Sequence, residues 1–405
     1  MYIARHLEHS IRTAAKMFSA VIVTGARQVG KTTLLMKVNG EIPYLTLDDP
    51  LLLQSAMEEP GTFFKINPPP LILDEIQYAP ELFPYIKMIA DKDRKKGQFY
   101  MSGSQQFQLM KNVSESLAGR IGILNLMGLS QREINCVDFT LPFVPTVEYL
   151  TDRKASVQSL SYKEVWRTIH RGSMPEMQRE EMDWQLFYSA YVKTYIERDV
   201  RQLTNIGDEV KFIKFITSLA ANSGNLLNYA SLSRDTGISE PTAERWISIL
   251  VASNIIYLLQ PYHNNVIKRA VKTPKVYFLD TGLAAYLTKW NTPEVLESGA
   301  AAGAFFETFV IAEIIKSYAN AGKEPPLYFY RDKEQNEIDL LIFENGTLYP
   351  IEIKKNADPR KEHIKAFRMI EGIHGVERGQ GGIICLYENV MALAPNDFVI
   401  PLCFI

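Results

Sequence analysis

Eight residues near the start of the sequence have the types and spacing of a phosphate-binding loop. Residues 25–32 spell G-x-x-x-x-G-K-T, the pattern called Walker A, after an apolar stretch and before a segment able to start a helix. Backbone N–H groups of such a loop and the positive end of the next helix bind phosphate oxygens. Lys31 is expected to reach the β- and γ-phosphates of ATP, and the Thr32 hydroxyl to bind Mg²⁺. The residues predicted to contact nucleotide in this loop are Gly25, Ala26, Arg27, Gln28, Val29, Gly30, Lys31, Thr32 and Thr33.

A second chemical signal is a pair of acids at the end of an apolar stretch. Leu71, Ile72 and Leu73 indicate a buried strand, and Asp74 and Glu75 follow directly. Asp74, at the carboxyl end of that strand, is expected to hold the nucleotide-bound Mg²⁺. Glu75 is expected to orient and polarise the attacking water. Such a strand often arises by chance, but its place in the same α/β unit as the loop favours ATP hydrolysis.

Polar residues at the end of the next apolar stretch are candidates for sensing the γ-phosphate. Ser102 and Ser104 lie at the end of a predicted third strand, and either hydroxyl could have this role. The alternative for Ser104 is a helix N-cap. Arg120, just before a strand predicted at 121–127, is a candidate catalytic finger for a phosphate in this or a neighbouring subunit. The alternative is an ordinary surface arginine.

The C-terminal part of the sequence contains a turn signal that would fix the alignment of two strands. Asn345-Gly346 lies between two stretches of alternating apolar residues and predicts a hairpin turn. If the turn has two residues, Glu344 lies opposite Thr347, and every later pair along the two strands follows from that register.

This register brings two carboxylates and a lysine to one face of the hairpin. Asp339 lies opposite Glu352, with Lys354 one pleat further on. Facing carboxylates repel unless a divalent cation lies between them, and the lysine could steer a metal-bound water or stabilise a charged transition state. Glu307, on the apolar stripe of a predicted helix, could point to the same centre. The alternatives are exposed cross-strand ion pairs and a helix acid that is merely tolerated.

Residues 226–259 have the pattern of a helix-turn-helix followed by a strand. Residues 261–279 contain four basic residues and no acid, as expected of a basic wing that contacts duplex DNA. Glu240 and Glu244 at the start of the second helix would repel phosphate, so a structural or protein-binding module is the alternative. The predicted DNA-binding residues are Lys268, Arg269, Lys272 and Lys275.

Length and composition limit the class of protein. The chain has 405 residues, 46% hydrophobic and 22% charged, as in multidomain globular proteins. Its net charge of −2 gives no general attraction to nucleic acid. We expect no signal peptide and no membrane span, because no apolar run approaches the roughly 18 residues that cross a bilayer. The three cysteines stand far apart, form no metal or redox motif and suggest a cytoplasmic location.

Seven segments together carry a family resemblance. They are residues 24–33, 73–77, 102–104, 117–120, 272–282, 337–339 and 352–354. Along nearly the whole chain these segments resemble the prokaryotic AAA+-type ATPases that have a C-terminal domain of unknown function. The resemblance implies a P-loop ATPase core, a winged-helix region and a restriction-endonuclease-like C-terminal fold. It also implies that Asp339, Glu352 and Lys354 match the PD-(D/E)xK nuclease pattern, with Glu307 as its helix acid, although that fold also occurs in proteins without cleavage activity.

The sequence therefore predicts a multidomain α/β protein. Expected domains are a P-loop ATPase (AAA+-like) core at 1–145, a helical connector at 146–215, a winged helix-turn-helix at 216–290 and a nuclease-like domain at 291–405. One interpretation is an enzyme that uses ATP and Mg²⁺ and couples ATP to DNA binding or metal-dependent cleavage of nucleic acid. The other is a non-catalytic switch in which ATP controls the binding of DNA or a protein. Double-stranded DNA and a homo-oligomer are the partners considered.

Overall fold

The structure is a computed structural model that describes residues 2–103, 117–196, 209–263 and 273–405. Its strands are β1 (Ala20–Thr24), β2 (Tyr44–Thr46), β3 (Leu71–Asp74), β4 (Phe99–Gly103), β5 (Ile121–Asn125), β6 (Ile256–Pro261), β7 (Lys275–Phe278), β8 (Leu327–Arg331), β9 (Glu337–Glu344), β10 (Thr347–Lys354), β11 (Glu377–Arg378), β12 (Gly381–Cys385), β13 (Met391–Ala394) and β14 (Asp397–Pro401). Its helices are α1 (Leu7–Met17), α2 (Lys31–Asn39), α3 (Pro50–Glu58), α4 (Pro60–Ile66), α5 (Leu82–Asp93), α6 (Gln131–Ile134), α7 (Val147–Lys154), α8 (Tyr162–Arg171), α9 (Trp184–Tyr191), α10 (Glu209–Ala221), α11 (Tyr229–Thr236), α12 (Glu240–Ala252), α13 (Thr281–Leu287), α14 (Pro293–Ser298) and α15 (Ala302–Asn320).

A five-stranded parallel sheet forms the core of the N-terminal part. Its strand order is β2-β3-β4-β1-β5. Strands β1, β3 and β4 are buried along their whole length, because helices α1 and α2 cover one face and α4 and α5 the other. Since β4 lies between β1 and β3, the residues that follow these three strands are neighbours at one edge of the sheet.

A nine-stranded mixed sheet runs through the rest of the chain. Its order is β13-β14-β12-β10-β9-β8-β6-β7, and β11 pairs with β10. Strands β6 and β7 form an antiparallel pair after helices α11 and α12. Gln260 and Pro261 of β6 pair with Tyr328 and Phe329 of β8. The middle strands and the C-terminal strands therefore share one sheet.

Helices α11 and α12 are joined by a tight turn. Gly237 has a φ angle of 69° in this turn, and the Ser239 hydroxyl accepts the Thr242 N–H at 3.3 Å to cap α12. Trp246 packs edge-to-face on Phe212 of α10, with ring centroids 5.2 Å apart. The exposed charged residues in the first half of α12 are Glu240, Glu244 and Arg245. Two acids therefore lie on the side of this helix that faces solvent.

Helix α15 attaches the second sheet to the N-terminal part. Glu313 Oε2 accepts the Gln131 N–H at 2.8 Å. Lys316 Nζ donates to the Leu129 carbonyl at 3.1 Å and pairs with Glu313 at 2.8 Å, and both side chains are buried. A buried ion pair is favourable only when further hydrogen bonds satisfy it, and here those bonds hold α15 against the segment that follows β5.

A buried aspartate joins three helices of the middle region. Asp280 accepts hydrogen bonds from Ser173 N–H at 2.6 Å, the Tyr188 hydroxyl at 2.7 Å and Leu283 N–H at 2.7 Å. These donors come from the end of α8, from α9 and from α13. The three bonds offset the cost of burying the Asp280 charge, so this residue has a structural role.

Two further features of the structure are the apolar character of its helices and the exposure of its cysteines. None of the helices in the described parts of the chain combines the length and apolar character needed to span a bilayer. Cys136 is exposed, Cys385 is buried and Cys403 is partly buried, and all three are free thiols.

Candidate functional site

The Walker A loop connects the end of β1 to the start of α2. Gly30 caps α2 with a φ angle of 91°. A Cβ atom on Gly25 would lie 2.1 Å from the Leu126 carbonyl oxygen, so glycine is required for the close approach of the chain that follows β5. The Lys31 ammonium is buried and donates to the carbonyl oxygens of Gly25 at 3.1 Å and Ala26 at 2.8 Å. A basic side chain and a helix N-terminus thus meet at one loop, as in an anion site.

Asp74 is the polar centre of the neighbouring strand ends. The Thr32 hydroxyl donates to its two oxygens at 2.9 and 3.0 Å, and the Tyr44 hydroxyl donates to Oδ2 at 2.8 Å. The fully buried Ser102 hydroxyl also donates to Asp74, because β4 lies directly beside β3. Ser104 lies outside the described residues. Thr32 and Asp74 supply the oxygen ligands that Mg²⁺ prefers.

Glu75 follows β3 in an uncommon backbone conformation. Its φ angle of 55° lies in the left-handed region, which costs a residue other than glycine on the order of 1–3 kcal/mol. The Glu75 N–H donates to Ser102 Oγ at 3.4 Å, and the carboxylate accepts a hydrogen bond from Gln77. Strain of this kind concentrates at functional sites, and here it turns the chain sharply beside Asp74.

Tyr44 is a site residue that sequence reasoning missed, and it gives a testable prediction. Burial and then the hydrogen bond to Asp74 raise the pKa of Tyr44 to about 12, so its hydroxyl stays a donor. We expect Tyr44→Phe to leave Asp74 less well oriented. The Mg²⁺ concentration for half-maximal ATP hydrolysis should then rise about tenfold or more, since a hydrogen bond to a charged group contributes roughly 1.5–3 kcal/mol.

The matched control for this variant is Tyr100→Phe. Tyr100 is buried in the same sheet, but its hydroxyl lies near Gly97 at the opposite edge. Titrating ATPase activity with Mg²⁺ should give the wild-type midpoint for Tyr100→Phe. Equal midpoints for both variants would show that Tyr44 does not support the metal site.

Arg120 does not lie near the Walker A loop of its own chain. Strands β1 and β5 are parallel, with Ala20 beside Ile121 and Thr24 beside Asn125. Arg120 is level with Ser19, one residue before β1, whereas the loop begins at Gly25, one residue after it. Six residue steps of roughly 3.3 Å, or about 20 Å, therefore separate Arg120 from the loop along the strands. Its guanidinium pairs with Asp91 of α5, with Nη2 and Oδ2 3.1 Å apart. The prediction that Arg120 acts on the nucleotide of its own subunit is wrong, and only action on a neighbour remains a prediction.

The predicted register of the C-terminal hairpin is confirmed. Asn345 and the glycine after it have φ angles of 51° and 81°, as a two-residue turn with both residues left-handed requires. Glu344 pairs with Thr347, and the ladder continues to the pair of Leu340 and Ile351. The next residues along the two strands are Asp339 and Glu352.

Asp339, Glu352 and Lys354 come together where the ladder ends. Asp339 Oδ2 accepts the Ile353 N–H at 2.8 Å and lies 3.7 Å from Lys354 Nζ. Lys354 also forms an ion pair with Glu352 Oε1. Glu352 is only 8% exposed, and its Oε2 atom is buried with no hydrogen-bond partner among the described residues. One buried carboxylate oxygen of this cluster is thus left without a hydrogen-bond donor and could bind a cation.

The electrostatics of the cluster favour an added cation. Burial is the main reason that the pKa of Glu352 rises to about 8; the Asp339 charge raises it further, and Lys354 opposes the rise. Burial lowers the pKa of Lys354, but the charges of Asp339 and Glu352 outweigh it and leave that pKa above its ordinary value. A divalent cation would relieve the repulsion between the two carboxylates. Mg²⁺ commonly binds one or two carboxylates and completes its shell with water and phosphate oxygens, so the two residues fit it.

Glu307 and Lys275 bind each other beside the cluster of Asp339, Glu352 and Lys354. Lys275 is 5% exposed in β7, with Nζ 3.3 Å from Glu307 Oε1 and 2.5 Å from Glu337 Oε1. The Tyr277 hydroxyl donates to Glu307 Oε1 at 2.6 Å. The prediction that Lys275 binds DNA is wrong, because a buried lysine paired with two carboxylates cannot present its charge to a phosphate.

The same contacts leave Glu307 outside any described metal-ligand group. Within residues 2–103, 117–196, 209–263 and 273–405, no three His, Cys, Asp or Glu residues are arranged to hold a metal ion. A cation at Asp339 and Glu352 would therefore have two carboxylate ligands. The other predicted wing residues, Lys268, Arg269 and Lys272, lie outside the described residues.

Three family models match successive parts of the chain. Residues 17–135 match a model described as an AAA domain. Residues 162–294 and 302–405 match two models described as domains of unknown function, DUF8612 and DUF4143. Together with the Walker A geometry, the first match identifies an AAA-type P-loop ATPase domain, a class that binds and hydrolyses ATP.

Proteins similar to most of the chain give no further functional information. Uncharacterized proteins of Mycobacterium tuberculosis and Mycobacterium bovis are each 29% identical over 362 residues, which is 86% of this chain and 73% of theirs. Among solved structures, a Walker-type ATPase of Pyrococcus abyssi is 15% identical, with 69% of this chain and 94% of that chain aligned and a TM-score of 0.44. A likeness of this size carries no argument about function.

Proposed function

We propose that this chain is an ATPase that couples its nucleotide state to metal-dependent cleavage of nucleic acid by its C-terminal domain. The observation that carries the proposal is the cluster of Asp339, Glu352 and Lys354, with the buried and unpartnered Oε2 atom of Glu352. Two acids and a lysine at one strand end match the nuclease pattern that the sequence suggested. The sequence resemblance is likewise the basis on which we assign a restriction-endonuclease-like fold to this domain and a winged helix to the middle region.

Each residue of the nucleotide site has a distinct task in this proposal. The Lys31 ammonium would turn from the loop carbonyls to the β- and γ-phosphates of ATP. Thr32 and Asp74 would hold Mg²⁺, which supplies charge neutralisation for the phosphates. Glu75 would orient the attacking water and polarise it. Ser102, through its contact with Asp74, would link the γ-phosphate to the position of the metal ligand.

Arg120 extends the proposal to an oligomer. Its place at the edge opposite the Walker A loop excludes its own nucleotide but leaves it exposed to a second subunit. An arginine supplied by a neighbour would stabilise the charge that develops on the transferred phosphate. A homo-oligomer in which Arg120 reaches the next subunit's ATP is therefore part of the proposed function.

The C-terminal residues would divide the work of phosphodiester hydrolysis. Asp339 and Glu352 would bind Mg²⁺, which when bound supplies a polarised water and a positive charge beside the scissile phosphate. Lys354, 3.7 Å from Asp339, would stabilise negative charge on the phosphate oxygens. The Ile353 N–H bond to Asp339 fixes that carboxylate in place.

A chain of buried polar contacts supports coupling between the two sites. Arg5 donates to the Val29 carbonyl of the Walker A loop at 2.9 Å and pairs with Glu133 at 3.0 Å. Glu133 lies in helix α6, whose first residue, Gln131, donates its N–H to Glu313 of α15. Helix α15 also carries Glu307, which lies beside the carboxylate cluster through Lys275. A shift of the loop on nucleotide binding would therefore act on the helix that borders the second site.

A non-catalytic, ATP-controlled binding switch is the second candidate function. The acids exposed at the start of α12 favour it, because they disfavour insertion of this helix into a DNA groove. In this reading Lys354 neutralises Glu352 permanently, and the C-terminal domain holds DNA or a protein without cleaving it.

The two candidates differ in one direct experiment on the wild-type protein. Duplex DNA, single-stranded DNA and RNA are incubated with the full chain and Mg²⁺ or Mn²⁺, with and without ATP, and the products are separated on denaturing gels. Cleavage that requires a divalent cation and disappears with chelator supports the enzyme. Intact substrates under every condition, beside normal ATP hydrolysis, support the switch.

A further inference from the structure

Lys275 lies among carboxylates at the junction of β7, α15 and β9. Its Nζ atom contacts Glu307 at 3.3 Å and Glu337 at 2.5 Å, and only 6% of its side chain is exposed. Burial lowers the pKa of Lys275, but the charges of Glu307 and Glu337 outweigh it, so the pKa stays above the ordinary lysine value. Glu337 lies two residues before Asp339 in β9, so both side chains are on one face of the strand and the ammonium borders the cluster of Asp339, Glu352 and Lys354.

The ammonium keeps a nearby acid engaged. Glu307 Oε1 accepts from both Lys275 and the Tyr277 hydroxyl. Burial and then the Asp339 charge raise the pKa of Glu307, because the two carboxylates repel each other. Glu352 is affected by the Glu307 charge in the same way. Without the ammonium, Glu307 would be free to approach a cation bound to Asp339 and Glu352.

We infer that Lys275 is an internal counter-ion that limits the cation site to two carboxylates and thereby sets its affinity for divalent metal. The inference rests on the proposed metal site at Asp339 and Glu352. An ammonium and a metal ion compete for the same negative charge, so Glu307 cannot serve both. With two carboxylate ligands, a metal ion keeps more coordination positions for water and phosphate oxygens. Lys275 is thus a positioning residue that keeps the site weakly metal-binding and open to a phosphodiester.

The test measures Mn²⁺ affinity of the full chain by electron paramagnetic resonance of free Mn²⁺. All proteins carry Asp74→Asn, so that the nucleotide site does not contribute. Lys275→Gln removes the charge, and we expect Mn²⁺ to bind at least about tenfold tighter, because charge count sets the affinity of oxygen sites. Lys316→Gln is the matched control. Lys316 is an equally buried lysine that pairs with Glu313, and both lie in α15, the helix that carries Glu307, but away from the cluster. Its Mn²⁺ affinity should equal that of the parent.

A second variant covers the case in which Lys275→Gln fails to fold. Glu307→Gln keeps the side-chain size and the contact with Tyr277, and the inference predicts Mn²⁺ affinity within about threefold of the parent. A loss of tenfold or more in Glu307→Gln would show that Glu307 is already a ligand and would overturn the inference.

The outcomes separate this inference from the proposed function. If the parent protein binds Mn²⁺ and folded Lys275→Gln binds it no more tightly, the inference is overturned but the proposed metal site is not. No Mn²⁺ binding in any protein, the parent included, overturns the proposed metal site and the inference with it. A gain in Lys275→Gln that Glu307→Gln reverses in the double variant supports the recruitment of Glu307 as a third ligand.

Discussion

Replacing Glu75 by glutamine is expected to lower the rate of ATP hydrolysis by about 100-fold or more while ATP still binds. Glutamine keeps the size of Glu75 and can still bond to Gln77, but it cannot take up a proton from the attacking water.

Lys31→Ala should act differently, because it removes the charge that meets the phosphates. We expect ATP affinity to fall at least about tenfold, or roughly 1.4 kcal/mol. Calorimetry with ATP and a phosphate-release assay distinguish the two effects.

Matched controls lie in the same domain. Lys37→Ala removes an exposed lysine from α2, and Glu58→Gln removes an exposed acid from α3. Both should keep wild-type binding and turnover. Wild-type ATP affinity in Lys31→Ala would show that the Walker A loop has been wrongly assigned. Full turnover in Glu75→Gln would show that a residue other than Glu75 activates the attacking water.

Local patterns in the sequence were sufficient wherever the geometry depends only on neighbouring residues. The pairing of Glu344 with Thr347 follows from a two-residue turn and the two-residue period of strands, so the meeting of Asp339 with Glu352 could be predicted. The Walker A loop likewise has its glycine, lysine and threonine within eight positions. In both places the chemistry and the structure that positions it are encoded in one short segment.

Contacts between distant segments could not be predicted in this way. Tyr44 reaches Asp74 only because β2 lies beside β3, and nothing in residues 42–47 specifies that neighbour. The basic composition of 261–279 suggested an exposed surface for Lys275, but its partners Glu307 and Glu337 come from α15 and β9. Burial and strand order are properties of the whole sheet, so local composition misplaced this residue.

Asp339→Asn and Glu352→Gln are each expected to abolish metal-dependent cleavage, with losses of at least about 100-fold. Outer-shell partners of a metal typically contribute 10–100-fold to affinity or activity, so removal of one of two carboxylate ligands should cost at least as much. Lys354→Ala should keep Mn²⁺ binding and lose cleavage, because the ammonium acts on the phosphate. Glu344→Gln is the control, since Glu344 lies at the turn end of the same hairpin and bonds to Tyr318. Cleavage assays and Mn²⁺ titrations of the four variants test these roles.

The stability of the metal-free protein should depend on pH through Glu352. Burial and the Asp339 charge raise the pKa of Glu352 from 4.5 to about 8, against the opposing charge of Lys354. The folded state therefore keeps a proton that the unfolded chain releases, and this contribution to stability is lost as pH rises from about 4.5 to about 8. Glu307 and Lys275 also face the cluster, and a Glu352→Gln substitution leaves both of them unchanged.

In chelator, Glu352→Gln should consequently melt at a higher temperature than wild type at pH 8.5, with a smaller difference at pH 5. With Asp74→Asn in both proteins, so that the nucleotide site does not bind the ion, added Mn²⁺ should raise the melting temperature of the protein with wild-type Glu352 but not of the variant, because only the former has both carboxylates to bind the ion. If the variant gains as much from Mn²⁺ as the wild type, Glu352 is not a ligand. If only the wild type gains but it cleaves no nucleic acid, the cluster is a cation-stabilised binding module, and ATP would control what that module holds.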